Sequence, residues 1–237
     1  MPGHIIVLQH VACETLGTIA EALIGRGLQP VYVRPFQGQS VPESIDAAAG
    51  LVVMGGPMGV YEAHRYPFLT HEMRLIEDAL HREVPVLGVC LGSQLLAATL
   101  GAAVTKGPGK EIGWHPVSLT DAASDDRLWG GAERTFTAFN WHGDILELPA
   151  GAVSLASSSL TANQAFRYGA SAYGFLFHME VTTEIIEGMV DTFADELARE
   201  GLDGQAIIRD AELHLVDVQR VGARVFDAWA RLVEPEP

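Results

Sequence analysis

The sequence predicts an α/β fold: an open, doubly wound, mostly parallel sheet flanked by helices, with a small antiparallel extension. Three observations carry this. Short apolar runs alternate with amphipathic stretches through the first hundred residues. Two of those runs end in glycine-bearing turns, and from about Trp114 the runs shorten and follow one another with only turns between them. Strands that are apolar on both faces belong in a parallel sheet covered by helices, and parallel neighbours need crossovers of about this length.

The elements follow in order. Ile5-Ile6-Val7-Leu8 is a strand, residues 15–26 a helix, Val31-Tyr32-Val33 and Leu51-Val52-Val53-Met54 two further strands, residues 68–82 a helix and residues 84–89 a strand. Extended pieces at 116–119, 135–139 and 153–157, then a strand at 172–177, form the extension of the same sheet. The tail carries apolar residues at helical spacing: Ile185, Ile186, Met189, Val190, Phe193 and Leu197, then Leu213, Val216, Val221, Val225, Phe226 and Trp229. Two closing helices are expected from about residue 183, with Gly201 ending the first. The final Glu234-Pro235-Glu236-Pro237 is expected to fray. No repeat or linker interrupts the chain, so residues 1–237 read as a single domain.

Composition narrows the function. Nearly half the 237 residues are hydrophobic, as in a folded globular protein. The formal charge of -15, from 15 Lys and Arg against 30 Asp and Glu, repels polyanions, so nucleic acid is not an expected partner. No apolar stretch approaches the roughly 20 residues of a membrane span, and the start, Met1-Pro2-Gly3-His4, lacks a targeting pattern. With only Cys13 and Cys90, no disulfide framework is expected, and a reduced cytoplasmic setting follows. The nine histidines are dispersed, so neither a metal site nor a cofactor is expected.

Three segments carry chemistry. Pro85-Val86-Leu87-Gly88-Val89-Cys90-Leu91-Gly92-Ser93-Gln94 is an apolar strand running through Gly-x-Cys-x-Gly into a helix, the form of a nucleophile elbow. The glycines let strand and helix approach while Cys90 is held in a strained turn at the carboxyl end of the sheet. A thiol at a helix N-terminus meets the positive end of the dipole, which favours thiolate. A lone cysteine is more often a small buried hydrophobe, and Cys13 takes that reading; the flanking glycines set Cys90 apart.

In Tyr173-Gly174-Phe175-Leu176-Phe177-His178-Met179-Glu180, a strand ends in His-x-Glu, and period-two geometry points His178 and Glu180 to one side. A histidine base needs a carboxylate to fix its tautomer and stabilise its cation. Taken singly, His178 would be a strand-end residue and Glu180 a helix N-terminal acid; together with Cys90 they complete a triad. Leu51-Val52-Val53-Met54-Gly55-Gly56-Pro57 ends a strand in a glycine pair. There the Gly56 N–H, with that of Leu91, would form an oxyanion hole. No Gly-Lys-Ser/Thr follows, which argues against the rival reading of a phosphate loop.

With these segments in hand, the chain resembles the class I glutamine amidotransferases, most closely stand-alone proteins similar to the glutaminase domain of GMP synthase, over about residues 5–182. The resemblance implies hydrolysis of the glutamine side-chain amide through a cysteinyl thioester, with ammonia passing to a partner synthetase. Carried over by motif, Cys90 attacks, His178 protonates the leaving ammonia, Glu180 orients His178, and Gly56 and Leu91 hold the oxyanion. The same resemblance assigns Gln94, Gly143 and Asp144 to substrate binding and makes His142 structural or binding. Lys110-Glu111-Ile112-Gly113-Trp114 also matches, with no chemistry assigned. The chain departs from the family at Met179, where proline is usual, and at Leu176, where glutamine is frequent.

Other readings compete. A γ-glutamyl hydrolase acting on a small γ-glutamyl compound would use the same triad. An α/β-hydrolase with a cysteine nucleophile shares the elbow, but there the acid precedes the histidine, whereas Glu180 follows His178. A silent regulatory or binding subunit would keep the shell, and the intact triad speaks against it.

Overall fold

The structure is a computed structural model, described here for residues 3–233; the terminal Glu234-Pro235-Glu236-Pro237 lies outside the described residues. The chain runs β1 (His4–Leu8), α1 (Thr18–Gly25), β2 (Gln29–Val33), β3 (Gly50–Val53), α2 (Phe68–His81), β4 (Val86–Val89) and α3 (Leu91–Thr99). It continues through β5 (Val104–Leu119), β6 (Thr135–Leu146), β7 (Val153–Ser157), β8 (Ala165–Tyr168) and β9 (Ala172–Phe175), and ends in α4 (Thr183–Thr192), α5 (Ala194–Glu200) and α6 (Gly204–Val233).

All nine strands join one sheet in the order β2-β1-β3-β4-β9-β8-β7-β5-β6. The first five are mutually parallel, and the rest pair antiparallel. This is the expected doubly wound sheet with its extension.

Alternation along the parallel strands builds the two faces. Successive side chains point to opposite sides of a strand. Ile5, Val7, Val52, Leu87 and Val89 therefore pack with Ile19, Leu23, Val225, Phe226 and Trp229 of α1 and α6. Ile6, Leu8, Leu51, Val53 and Val86 pack on the other face with Leu69, Leu75, Ile76, Leu95 and Leu96 of α2 and α3. A third cluster sets Ile112, Phe139 and Trp141 of the extension against α4 and the start of α6.

The tail differs from the expectation: three helices close the chain instead of two. The first breaks at Phe193, whose ring lies 5.6 Å from that of Trp141, and Gly201 caps α5 in the left-handed conformation. Along α6 the buried stripe is Ile207, Ala211, Val218, Gly222, Val225, Trp229 and Val233. Leu213 and Val216, expected inside, fall on the opposite side of the helix and are 72% and 77% exposed.

The extension is also longer than expected. β5 and β6 run on to residues 104 and 146 across a bulge between Lys106 and Glu111, and β8 had no counterpart in the sequence reading. β9 stops at Phe175, short of residue 177.

Candidate active site

The carboxyl ends of β1, β3, β4 and β9 meet where the strand order reverses, with β2 on one side of β1 and β3 on the other. Open α/β sheets form a ligand crevice at such a reversal. Here it opens into a pocket of ≈ 360 Å³ bordered by Glu14, Gly56, Cys90, Gln94, Gly143 and Asp144, among others.

Cys90 stands at the turn from β4 into α3 with φ 50° and ψ -108°. That strain, of order 1–3 kcal/mol for a non-glycine residue, persists only where the surroundings enforce it. The enforcement is visible in how closely the chain packs: a β-carbon on Gly92 would lie 1.9 Å from the Val53 carbonyl oxygen, and one on Gly88 2.4 Å from that of Gly92. The Cys90 N–H donates to the Phe175 carbonyl at 2.7 Å, tying the bend to the strand that leads to His178.

Beyond β9, the His178 N–H donates to the Phe139 carbonyl at 2.7 Å, which bridges this segment to β6. His178 and Glu180 thus lie past the regular strand, yet their side chains converge as expected. His178 Nδ1 is 2.6 Å from Glu180 Oε1, and Glu180 Oε2 accepts the Met179 N–H at 3.0 Å. Both residues are buried.

With Nδ1 engaged by Glu180, Nε2 is the ring atom left for Cys90. The thiol hydrogen bonds the Trp141 carbonyl at 3.7 Å, so Nε2 has no formal partner although the two groups shift each other's ionisation. Apo sites often show such loose contacts between nucleophile and base.

Burial pushes the Cys90 thiol up, and the neighbouring His178 only partly offsets this. For His178, burial opposes the cation, but the Glu180 carboxylate and the bonds to Cys90 and Glu180 outweigh it and lift the imidazole well above its ordinary value. The backbone N–H of Leu91 at the helix start lowers the thiol, as expected of a helix N-terminus, but it acts against the larger effect of burial. Desolvation is the largest influence on the thiol, and the neighbouring His178 is the largest one opposing it.

Of the remaining expected residues, Gly56, Gln94, His142, Gly143 and Asp144 border the same pocket. Gln94 Nε2 donates to the Asp144 carbonyl at 3.2 Å, Tyr61 Oη donates to Asp144 Oδ2 at 2.9 Å, and Gly143 packs beneath Lys110. Gly56 packs against the Leu91 side chain, next to the Cys90 elbow. His142 accepts from Gln164 at 3.3 Å beside Glu111, and burial lowers its pKa to about 4, which keeps it neutral. Among the described residues, no three His, Cys, Asp or Glu side chains gather as a metal site, and no helix is long and apolar enough to cross a membrane.

Three buried residues around the Gly55-Gly56 turn escaped the sequence reading: His10, Glu14 and Glu72. Glu14 Oε2 has no partner and lies against Gly55; burial, with the Glu180 charge, outweighs the lowering by His178 and His10 and raises its carboxyl to about 7. The available signal was position, since His10 and Glu14 follow the end of β1 at the reversal of the sheet.

The profile of the family described as "Glutamine amidotransferase class-I" matches residues 15–193. The glutamine amidotransferase-like protein YfeJ of Salmonella typhimurium is 34% identical over 230 residues, covering 95% of each chain. A GMP synthase [glutamine-hydrolyzing] of Porphyromonas gingivalis is 28% identical over 179 residues; the match covers 74% of this chain but only 34% of that protein. Among solved structures, a glutamine amidotransferase from Thermotoga maritima superposes with a TM-score of 0.88 at 31% identity, covering 99% of this chain and 100% of that one. Another from Methylobacillus flagellatus gives 0.85 at 28% identity over 100% and 96% of the two chains. The match to the family profile, the full-length relative and the shared architecture agree: this chain belongs to the class I glutamine amidotransferases.

Proposed function

We propose that this protein hydrolyses the side-chain amide of glutamine through a thioester on Cys90 and passes the ammonia to a partner synthetase. The observation that carries the reading is the buried His178–Glu180 pair, with Nδ1 2.6 Å from the Glu180 carboxylate, beside Cys90, which borders the pocket.

In the proposed cycle the Cys90 Sγ forms a bond to the amide carbon while its proton resides on His178 Nε2. The N–H groups of Gly56 and Leu91 receive the oxyanion as charge develops. His178 then gives its proton to the nitrogen, the C–N bond breaks and ammonia departs. Water, deprotonated by His178, attacks the thioester and frees glutamate and the thiol. Glu180 keeps Nδ1 protonated and steadies the cation in both halves of the cycle. Gln94, Gly143 and Asp144 hold the amino-acid end of the substrate.

The test is to incubate the purified protein with glutamine, with γ-glutamyl amines and with a simple ester, alone and with candidate synthetases. Ammonia release that Cys90→Ala abolishes supports the proposal. Release of amine from γ-glutamyl amines with glutamine untouched makes the protein a γ-glutamyl hydrolase, and ester turnover alone refutes the amidotransferase chemistry.

A further inference from the structure

Behind the Gly55-Gly56 turn lies a buried ion pair with no part in the cycle above. His10 Nε2 is 2.9 Å from Glu72 Oε2, and both side chains are fully buried. The other ring nitrogen, Nδ1, is 2.9 Å from the Gly55 carbonyl oxygen. A carbonyl oxygen can only accept, so Nδ1 carries a proton. Glu72, held at the opposite ring nitrogen, fixes the ring so that Nδ1–H faces Gly55. Burial works against the His10 cation, but the charge and hydrogen bond of Glu72, then Gly55, raise it above its ordinary value.

The peptide plane converts this bond into a catalytic geometry. The Gly55-Gly56 peptide is trans, so the Gly55 carbonyl and the Gly56 N–H point in opposite directions. A carbonyl tied back to His10 therefore turns the N–H away from His10, and Gly56 borders the pocket. The turn is gripped sterically as well. A β-carbon on Gly56 would lie 2.7 Å from His10 Cβ and 3.0 Å from Leu91 Cδ2, and one on Gly55 would overlap Glu14 Oε2 at 1.8 Å. The His10 ring in turn stacks on Phe68 at 6.3 Å.

We propose that His10, held by Glu72, is a positioning residue that presets the oxyanion turn, keeping the Gly56 N–H aimed at the reacting carbonyl before any substrate or partner binds. The inference rests on the reading of Gly56 as an oxyanion donor. It goes beyond that reading in making the donor a permanent feature of the free chain, so basal turnover needs no partner to rotate the peptide. Two donors that need no reorganisation at the moment of reaction are where electrostatic catalysis is strongest.

The experiment compares two double variants, both of which remove the buried carboxylate. His10→Phe with Glu72→Leu keeps the ring packing and deletes the donor, whereas His10→Asn with Glu72→Leu restores an amide N–H near the place of Nδ1. Four quantities are read: kcat and KM for glutamine, the rate of Cys90 alkylation by iodoacetamide, and the Gly56 amide resonance. Alkylation generates no oxyanion. The Phe variant should lose about a hundredfold in kcat, the loss typical of an oxyanion donor, with KM and alkylation within about twofold of wild type. The Asn variant should recover about tenfold of that loss. Unchanged kcat in the Phe variant, or kcat and alkylation falling together, overturns the proposal.

Should the Phe variant fail to fold, His10→Gln takes its place, because its amide reaches Glu72 but not Gly55. The same kcat loss is expected, and full kcat overturns the proposal. If wild type turns over neither glutamine nor a γ-glutamyl amide, the proposed function fails by itself and the Gly56 resonance decides the positioning. A resonance that shifts in the Phe variant and returns in the Asn variant supports it, and one that stays put refutes it.

Discussion

Replacing Glu14 by glutamine should stabilise the protein at alkaline pH and leave it unchanged in acid. Glu14 is 4% exposed, and one carboxylate oxygen has no partner. Burial is the largest influence on it. The charge of His178 and that of Glu180 then act in opposite directions, and the net effect is a carboxyl raised from 4.5 to about 7. Between those values the folded protein holds a proton that the unfolded chain has shed, so the favourable contribution is complete below 4.5 and is lost as the pH climbs through 7. At about 1.4 kcal/mol per pH unit, the loss amounts to about 3 kcal/mol by pH 8. The substituted amide has nearly the same shape as the carboxyl and does not titrate. Urea unfolding of both proteins at several pH values reads the difference directly, because most other titrations are common to the two. Coincident stabilities at about pH 4.5 that separate by about 3 kcal/mol at pH 8 bear the reasoning out, and a gap that is flat across that window refutes it.

Other perturbations have equally definite outcomes. Glu180→Gln removes the carboxylate that lifts His178, so kcat should fall by about 10² or more with little change in KM, and the pH at which Cys90 is alkylated should move. Equal effects on kcat and KM would argue against an orienting role. Gly92→Ala places a β-carbon 1.9 Å from the Val53 carbonyl, and should cost about 3 kcal/mol of stability in thermal unfolding. His142, neutral with a pKa of about 4, should tolerate replacement by Asn with kcat within about tenfold, while His178→Asn should lose about 10³. A reversed ranking in steady-state kinetics would reassign the base.

The parts of this architecture written in local order were legible in the sequence. The strand runs, the glycines around Cys90 and the His178-Met179-Glu180 spacing each carry their meaning within about ten residues. What escaped depends on contacts distant in the chain. His10 and Glu72 are 62 residues apart, and Glu111 meets Thr161 and Gln164 across 50 and 53. Nothing local marks a histidine or glutamate as one that will find its counterion after folding.

The helical tail shows the same limit. Ile185 to Leu197 keep helical spacing straight through Phe193, yet the helix breaks there, where the Phe193 ring meets Trp141 of the distant strand β6. In α6, Leu213 and Val216 are apolar and helical, but the buried stripe is chosen by the surface that the helix covers. Within β5, Gly107-Pro108-Gly109 fall in a bulge that partnership with β6 carries the strand across, and nothing in the local sequence announces that partnership. The thiol is a different case: its position was legible, whereas the burial that pushes it up is a tertiary quantity.

Trapping the covalent intermediate tests the central claim most directly. The protein is mixed with glutamine, quenched in acid within one turnover, digested and examined by mass spectrometry. The account predicts one glutamyl group on the peptide containing Cys90, absent from Cys90→Ala and accumulating slowly in His178→Asn. Ammonia released with Cys90 unmodified at every time point, or the glutamyl group found on another residue, would contradict it.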